Sequence, residues 1–435
     1  MSLALHHVDV FDLDGPAVAE EADQDRQTDG SLGRSDGQNE QRGLYSSAPR
    51  RLLSQLFATG QGDSYYADVA LLKFQGLREG DDDAELPTAL PVFYSEKFWD
   101  LGKWGFASVN ASSAILERDI GEDSHRVSVG ADWSDLNILP GGFTFEPFAE
   151  VRADYYGLNE DESGEESVTR ALGNVGGKLA YPMIRPGKVV DVMLEPAVMA
   201  AWGTSNSNDD VIPNEDSLLF EADESVLFDA NGFGAYDLFE GDGKLAAGIT
   251  ARALWKNGPD LSTTIGKRWR SRPDDAFDAT SNLDGTSSDW IIAATADFGR
   301  KLRIDTHARL DEDGFSLNRI DAKISSNYKR LRAVAQYYKV DERISTTGKG
   351  DEGIFLRGEF RVTSQYSVFA GQLRDISDNL NAKQEYGIAF EDDCSRFEIV
   401  YQRSELQDRT LGPEENIQFR FSLKTIGDFG SSEFD

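Results

Sequence analysis

What most constrains the fold of this chain is an alternation of polar and apolar residues, sustained over roughly ten to sixteen positions at a time. In the run 143–156, Phe143, Phe145, Pro147, Ala149, Val151, Ala153 and Tyr155 share one parity, and Thr144, Glu146, Phe148, Glu150, Arg152, Asp154 and Tyr156 share the other. Successive side chains of an extended strand point to opposite faces, so this run is a strand with one apolar and one polar side. The pattern recurs: Val127, Val129, Ala131 and Trp133 oppose Arg126, Ser128, Gly130 and Asp132, and Ile417, Phe419, Phe421 and Leu423 oppose Gln418, Arg420, Ser422 and Lys424. Roughly nineteen such segments lie between Arg50 and Gly427, most joined by short turns rich in Gly, Asp, Asn and Pro. No segment carries a convincing helical period. The predicted fold class is all-β and antiparallel.

Three all-β architectures compete for this pattern. A soluble sandwich or propeller uses strands of about five or six residues and buries its apolar face. Here the strands are longer, and aromatic residues stand near their ends, as at Tyr65, Trp99, Trp104, Trp133, Tyr155, Trp202, Trp255, Trp269 and Trp290. Aromatic girdles around a small or aliphatic band mark the lipid-facing exterior of a membrane barrel. The opposite face is too charged for a dry core, where each unpaired charge is costly, but suits a wet lumen. A transmembrane β-barrel is therefore predicted, with about 19–20 strands present. Its apolar side would meet outer-membrane lipids. A porin-like diffusion channel shares this architecture, and a soluble acidic β-protein binding calcium or carbohydrate is the alternative from another class.

Composition narrows the partners. The chain has 77 Asp+Glu against 44 Lys+Arg, a net charge of −33, which argues against nucleic acid because a phosphate backbone needs a basic footprint. The lone Cys394 excludes an internal disulfide framework and a Cys-rich zinc site. Met1–Pro16 lacks the basic and apolar regions of a signal peptide, and no stretch of the chain is long and apolar enough for a membrane helix. Residues 1–48 read as an acidic segment, disordered or partly extended. Residues 49–435 read as the barrel domain, interrupted by a long insertion at 203–242.

The polar faces of the strands supply candidate lumen residues: Glu146, Glu150, Arg152, Asp154, Glu195, Arg252 and Lys267. The insertion mixes carboxylates with apolar anchors such as Leu218, Leu219, Leu227 and Phe228, as a loop packed into or across the lumen would. Clustered carboxylates also suit Ca²⁺ or Mg²⁺, but no EF-hand spacing is present, and no metal or cofactor is assigned. His125 and His307 are the histidines inside predicted strands, and no Gly-x-Ser-x-Gly elbow accompanies them. The expectation is a protein that is not an enzyme.

Ile212-Pro213-Asn214-Glu215-Asp216-Ser217 is followed by Phe220-Glu221, Asp223-Glu224, Leu227-Phe228, Asn231-Gly232-Phe233 and Asp237. This run resembles the signature loop of the LPS-assembly protein LptD family (also called OstA or Imp), in its alphaproteobacterial form. Phe74-Gln75-Gly76-Leu77-Arg78, Leu194-Glu195-Pro196 and Asp392-Asp393-Cys394 support it. The resemblance spans about Arg50 to Gly427. It implies insertion of lipopolysaccharide into the outer leaflet of the Gram-negative outer membrane. The partners it implies are an LptE-like plug lipoprotein and periplasmic lipopolysaccharide-transport bridge proteins. It also implies that Cys394 forms a disulfide to an N-terminal periplasmic domain, and that these strands are the C-terminal part of a larger barrel.

Overall fold

The computed structural model describes residues 51–76, 81–160, 164–205, 208, 211–216, 221–232, 235–345, 348–405, 412–423 and 427–429. The predicted segment 1–48 lies outside them, as do Ser217, Phe220 and Phe233. In chain order the strands begin with β1 (Arg51–Gly62), β2 (Tyr65–Gly76), β3 (Thr88–Asp100), β4 (Phe106–Glu117), β5 (Asp123–Ser134), β6 (Asn137–Ile138) and β7 (Thr144–Glu160). Next come β8 (Gly164–Ala180), β9 (Met183–Arg185), β10 (Val190–Gly203), β11 (Gly243–Trp255), β12 (Asp260–Arg270), β13 (Trp290–Asp297) and β14 (Arg303–Leu310). The series ends with β15 (Leu317–Tyr328), β16 (Leu331–Val340), β17 (Asp351–Arg361), β18 (Tyr366–Asp375), β19 (Leu380–Glu391), β20 (Ser395–Ser404), β21 (Glu414–Leu423) and β22 (Gly427–Phe429).

All belong to one 22-stranded sheet. Setting aside the two- and three-residue fragments β6, β9 and β22, nineteen long strands remain. Each long strand pairs antiparallel with its neighbour in the chain, so the topology is an up-and-down meander. Among the described residues no pairing joins β1 to β21 or β22, and the barrel is not closed.

Register decides which side of each strand faces where. Val127 and Val129 of β5 and Val151 and Tyr155 of β7 are half exposed or more. Their neighbours Arg126, Ser128, Asp154 and Tyr156 are buried. The same inversion holds in β11, with Leu245 and Ile249 exposed and Lys244 and Ala246 buried, and at the far end, where Ile417 and Phe419 are 65% and 79% exposed. A water-soluble protein would pay for that exterior in lost hydrophobic stabilisation; hydrocarbon solvates it without loss. The apolar face is the lipid face, and the polar face is the lumen side.

Connectivity also sorts the aromatics into two belts. Tyr65, Trp99, Trp133 and Trp255 lie at one end of their strands, while Tyr155, Trp202, Trp269 and Trp290 lie toward the other. The long connections 204–242 and 271–289 emerge at the second end. At the first end Gly102 and Gly105 take φ of 63° and 79°, the left-handed geometry that lets β3 reverse into β4 within five residues.

Candidate functional site

The long connection between β10 and β11 lies against the polar face of the sheet. An apolar anchor holds its middle: Leu227, fully buried, and Ala230 pack with Met199, Ala201, Ala246 and Ile291. Room for Leu227 comes from Gly248 and Gly266, which face each other across β11 and β12. A Cβ on Gly266 would stand 2.3 Å from Leu227 Cδ2.

Around that anchor the loop's carboxylates meet arginines from the wall. Arg118, just beyond β4, donates through one nitrogen to both carboxylate oxygens of Glu215 at 2.9 Å. Arg126 of β5 donates to Asp216 at 2.5 Å and to Asp237 at 2.8 Å. Asp237 also accepts from the Tyr156 hydroxyl at 3.0 Å and from the backbone N–H groups of Glu215 and Asp216 at 2.8 and 3.1 Å. Asp216 in turn accepts from the Asp237 backbone at 3.0 Å. The two loop segments thus cap each other's orphan amides while sharing one guanidinium.

Further along the wall, Arg152 donates to the carbonyls of Ala235 and Tyr236 at 3.3 and 2.6 Å. Arg170 donates to the carbonyls of Tyr236 and Asp237. Asp154, 1% exposed, is paired with both arginines. The Tyr236 ring lies 4.5 Å from the Arg126 guanidinium and 5.0 Å from that of Arg152. On the far side of the anchor, Arg268 of β12 donates to Glu240 at 2.6 Å. Glu221 is 3.2 Å from Arg309 of β14 and 3.3 Å from Arg319 of β15.

Burial here changes the loop's acid–base behaviour. Burial, reinforced by the neighbouring Asp216 charge, pushes the Asp237 carboxyl up to about 7 despite Arg126. For Asp216 burial acts in the same direction, but the charge of Arg126 and hydrogen bonds from Asp237 outweigh it and hold the carboxyl below its usual range. The pair therefore holds one proton below neutral pH and gives it up as pH rises through about 7.

The residues singled out from sequence divide as follows. Glu146, Glu150, Arg152 and Asp154 share the polar face of β7, and Glu150 accepts from Asn174 at 2.5 Å. Glu195 lies opposite Thr250 on the polar face. Arg252 has the same parity as Thr250 but is exposed. Lys267 is a correction. It lies opposite Ala247 and between Ile265 and Trp269, on the lipid-side parity rather than the lumen side. A cation is tolerated there because it sits near the strand's end, where Glu312 meets it at 3.2 Å and the Trp290 ring centroid lies at 5.8 Å.

In the signature loop Ile212, Glu215, Glu221 and Asp237 are buried, and Pro213, Asn214 and Asp216 half-buried. Among the described residues no group of three or more His, Cys, Asp and Glu could hold a metal ion; Glu215, Asp216, Glu221, Asp237 and Glu240 meet guanidiniums, and Glu224 meets His307 at 2.7 Å. Cys394 is a free, exposed thiol in the β19–β20 turn, at the opposite end of the strands from the loop. The wall arginines Arg118, Arg126, Arg170, Arg268, Arg309 and Arg319 escaped the sequence reading, although inward parity flagged Arg126 as polar-side.

Fold and site together define an outer-membrane-type β-barrel sheet whose polar inner face is covered by one of its own loops. The family model described as LPS transport system D (LptD) matches residues 37–371, more than half of the chain. The chain belongs to that family. It resides in the outer membrane, serves lipopolysaccharide transport and outer-membrane assembly, and has lipopolysaccharide as a partner.

Solved structures offer remoter likenesses. The FrpB iron transporter from Neisseria meningitidis (F5-1 variant) is 8% identical, with 90% of this chain and 77% of that one covered and a TM-score of 0.41. The copper transporter OprC is 12% identical, covering 87% and 73%, with a TM-score of 0.37. The siderophore receptor PirA from Acinetobacter baumannii is 7% identical, covering 85% and 70%, with a TM-score of 0.40. No curated protein sequence matches.

Proposed function

We propose that the chain forms barrel wall of the translocon that inserts lipopolysaccharide into the outer leaflet. The observation that carries this reading is the opposition of faces: an apolar exterior such as Val151 and Ile249, and an interior lined with Arg126, Arg152 and Arg170. Such a wall suits an amphiphile. A saccharide moves along the polar side without a dry desolvation step, while acyl chains stay in hydrocarbon. The lipid leaves sideways through an unzipped strand pair, and no bond of the cargo is made or broken, so the protein is not an enzyme. An LptE-like lipoprotein and periplasmic bridge proteins are its partners in this reading, as the family resemblance implies.

The described loop, seated across the polar face, supports a gated translocon over an open porin. The test is depletion of the protein in its own cells, with newly made lipopolysaccharide measured at the surface. Surface delivery is expected to stop and to return when the full chain is re-expressed. Undiminished delivery on depletion overturns the proposal, and an open-channel conductance from the purified protein in planar bilayers would favour the porin.

A further inference from the structure

We propose that the wall formed by Arg118, Arg126, Arg152 and Arg170 is a binding surface for the phosphate groups of a phosphorylated saccharide, held in this structure by the loop's own Glu215, Asp216 and Asp237. This deepens the transport reading and rests on it.

The first argument is charge placement. The segment Thr204–Asp242 contains eleven Asp or Glu and no Lys or Arg, in a chain that has 44 basic residues elsewhere. Three of its carboxylates lie on guanidiniums: Arg118 meets Glu215, and Arg126 meets Asp216 and Asp237. In a protein of net charge −33, cations gathered on one inner surface are not a by-product of composition.

The second is the kind of oxygen each guanidinium holds. Arg152 and Arg170 reach loop carbonyls, at Ala235, Tyr236 and Asp237, and share the strand carboxylate Asp154. A carbonyl is a neutral acceptor, so at these contacts the loop offers the two guanidiniums hydrogen bonds without charge. A phosphate brings three charged oxygens in a geometry that guanidinium forks match.

The third is reach. Arg126, Arg152 and Arg170 occupy β5, β7 and β8, with Arg126 opposite Tyr156 and Arg170 opposite Asp154 in register. At about 4.8 Å between strands and about 3.3 Å per residue, their Cα atoms span about 14 Å. The side chains converge, however: the Arg126 and Arg152 guanidiniums lie 4.5 and 5.0 Å from the one Tyr236 ring, and Arg170 donates to the Tyr236 carbonyl, close enough for a single charged sugar to engage all three. Replacing loop carboxylates by ligand phosphates also keeps the wall neutralised throughout. The exchange never leaves a buried guanidinium unpaired, which is the costly state.

The test uses the whole purified chain in detergent, with heat-modifiable gel mobility confirming that each variant is folded. The probes are deacylated lipopolysaccharide saccharide, the same saccharide after phosphatase treatment, and inorganic phosphate. Cleavage of the loop by a Glu-specific protease reports its release, and calorimetry reports binding. The phosphorylated saccharide is expected to speed loop cleavage at least about tenfold, and Asp216→Asn/Asp237→Asn to bind it at least about tenfold tighter than wild type. Arg126→Lys, which keeps the charge but loses the fork, should abolish most of the response. Equal action by the dephosphorylated saccharide overturns the phosphate assignment, and equal action by inorganic phosphate at the same concentration overturns the saccharide one. Unchanged cleavage together with unimproved binding by the double variant overturns the whole inference. If surface delivery depends on the protein while these assays fail, the inference falls and the transport reading stands; loss of both removes the reading itself.

Discussion

Gly266 is the position where one methyl group should release the loop. A Cβ there would stand 2.3 Å from Leu227 Cδ2 and 3.2 Å from Cδ1, and 3.0 Å from the Ala247 carbonyl oxygen. Leu227 is fully buried, so it has no free direction in which to yield without leaving Met199, Ala246 and Ile291. Burying a leucine is worth about 1.5–3 kcal/mol, and a buried Leu→Ala change costs about 2–5 kcal/mol. Gly266→Ala should therefore shift loop docking by about 2–3 kcal/mol, or roughly 30- to 150-fold in the open fraction. Cleavage by a Glu-specific protease, with opening fast relative to cutting, reads that fraction directly. The decisive arm is the double variant. Leu227→Ala removes the atoms that Gly266→Ala would strike, so the pair should cleave about as fast as Leu227→Ala alone, and the two effects should not add. Additive rates, or a Gly266→Ala variant as resistant as wild type, would refute the steric reasoning.

Arg126→Met should strand Asp216 and Asp237 as buried carboxylates, a loss of about 3–5 kcal/mol that is capped by loop release into water; a thermal scan and the protease assay measure it. Because Asp237 is raised to about 7 in the docked loop, docking takes up a proton. Its contribution is full below the ordinary carboxylate range, falls as pH rises through about 7, and is flat above. Loop amides should thus exchange faster at pH 7.5 than at 5.5 after correction for intrinsic rates, and Asp237→Asn should remove the difference. Cys394 is exposed, its backbone N–H bonded to Asp392 at 2.9 Å, so a maleimide should label it in the folded protein. Cys394→Ser should change stability by less than about 0.5 kcal/mol in denaturant titration, since exposed sites contribute little.

How far the sequence could be read depended on the distance between interacting residues. Strands such as β7 were legible because alternation is local: Val151 and Asp154 declare their faces within four positions. The loop was legible as a packed element because carboxylates and Leu227 occur in one run. Which guanidinium meets which carboxylate was not legible. Arg118 and Glu215 are 97 residues apart, and Arg309 and Glu221 are 88 apart. Nothing in a single sequence correlates such pairs. Lys267 went astray for a different reason: alternation assumes that polar means inward, and near a strand end a cation finds Glu312 and Trp290 on the outer side.

Asp216 and Glu221 are five positions apart, a stretch that spans at most about 18 Å. Yet Asp216 is tied to β5 and Glu221 to β14, strands seven pairings apart around the meander, about 34 Å measured along a flat sheet. Side chains stand roughly upright on a sheet and add little sideways reach. The sheet therefore bends toward the two carboxylates to make both ties, and their ion pairs to β5 and β14 hold the curvature of the wall between those strands.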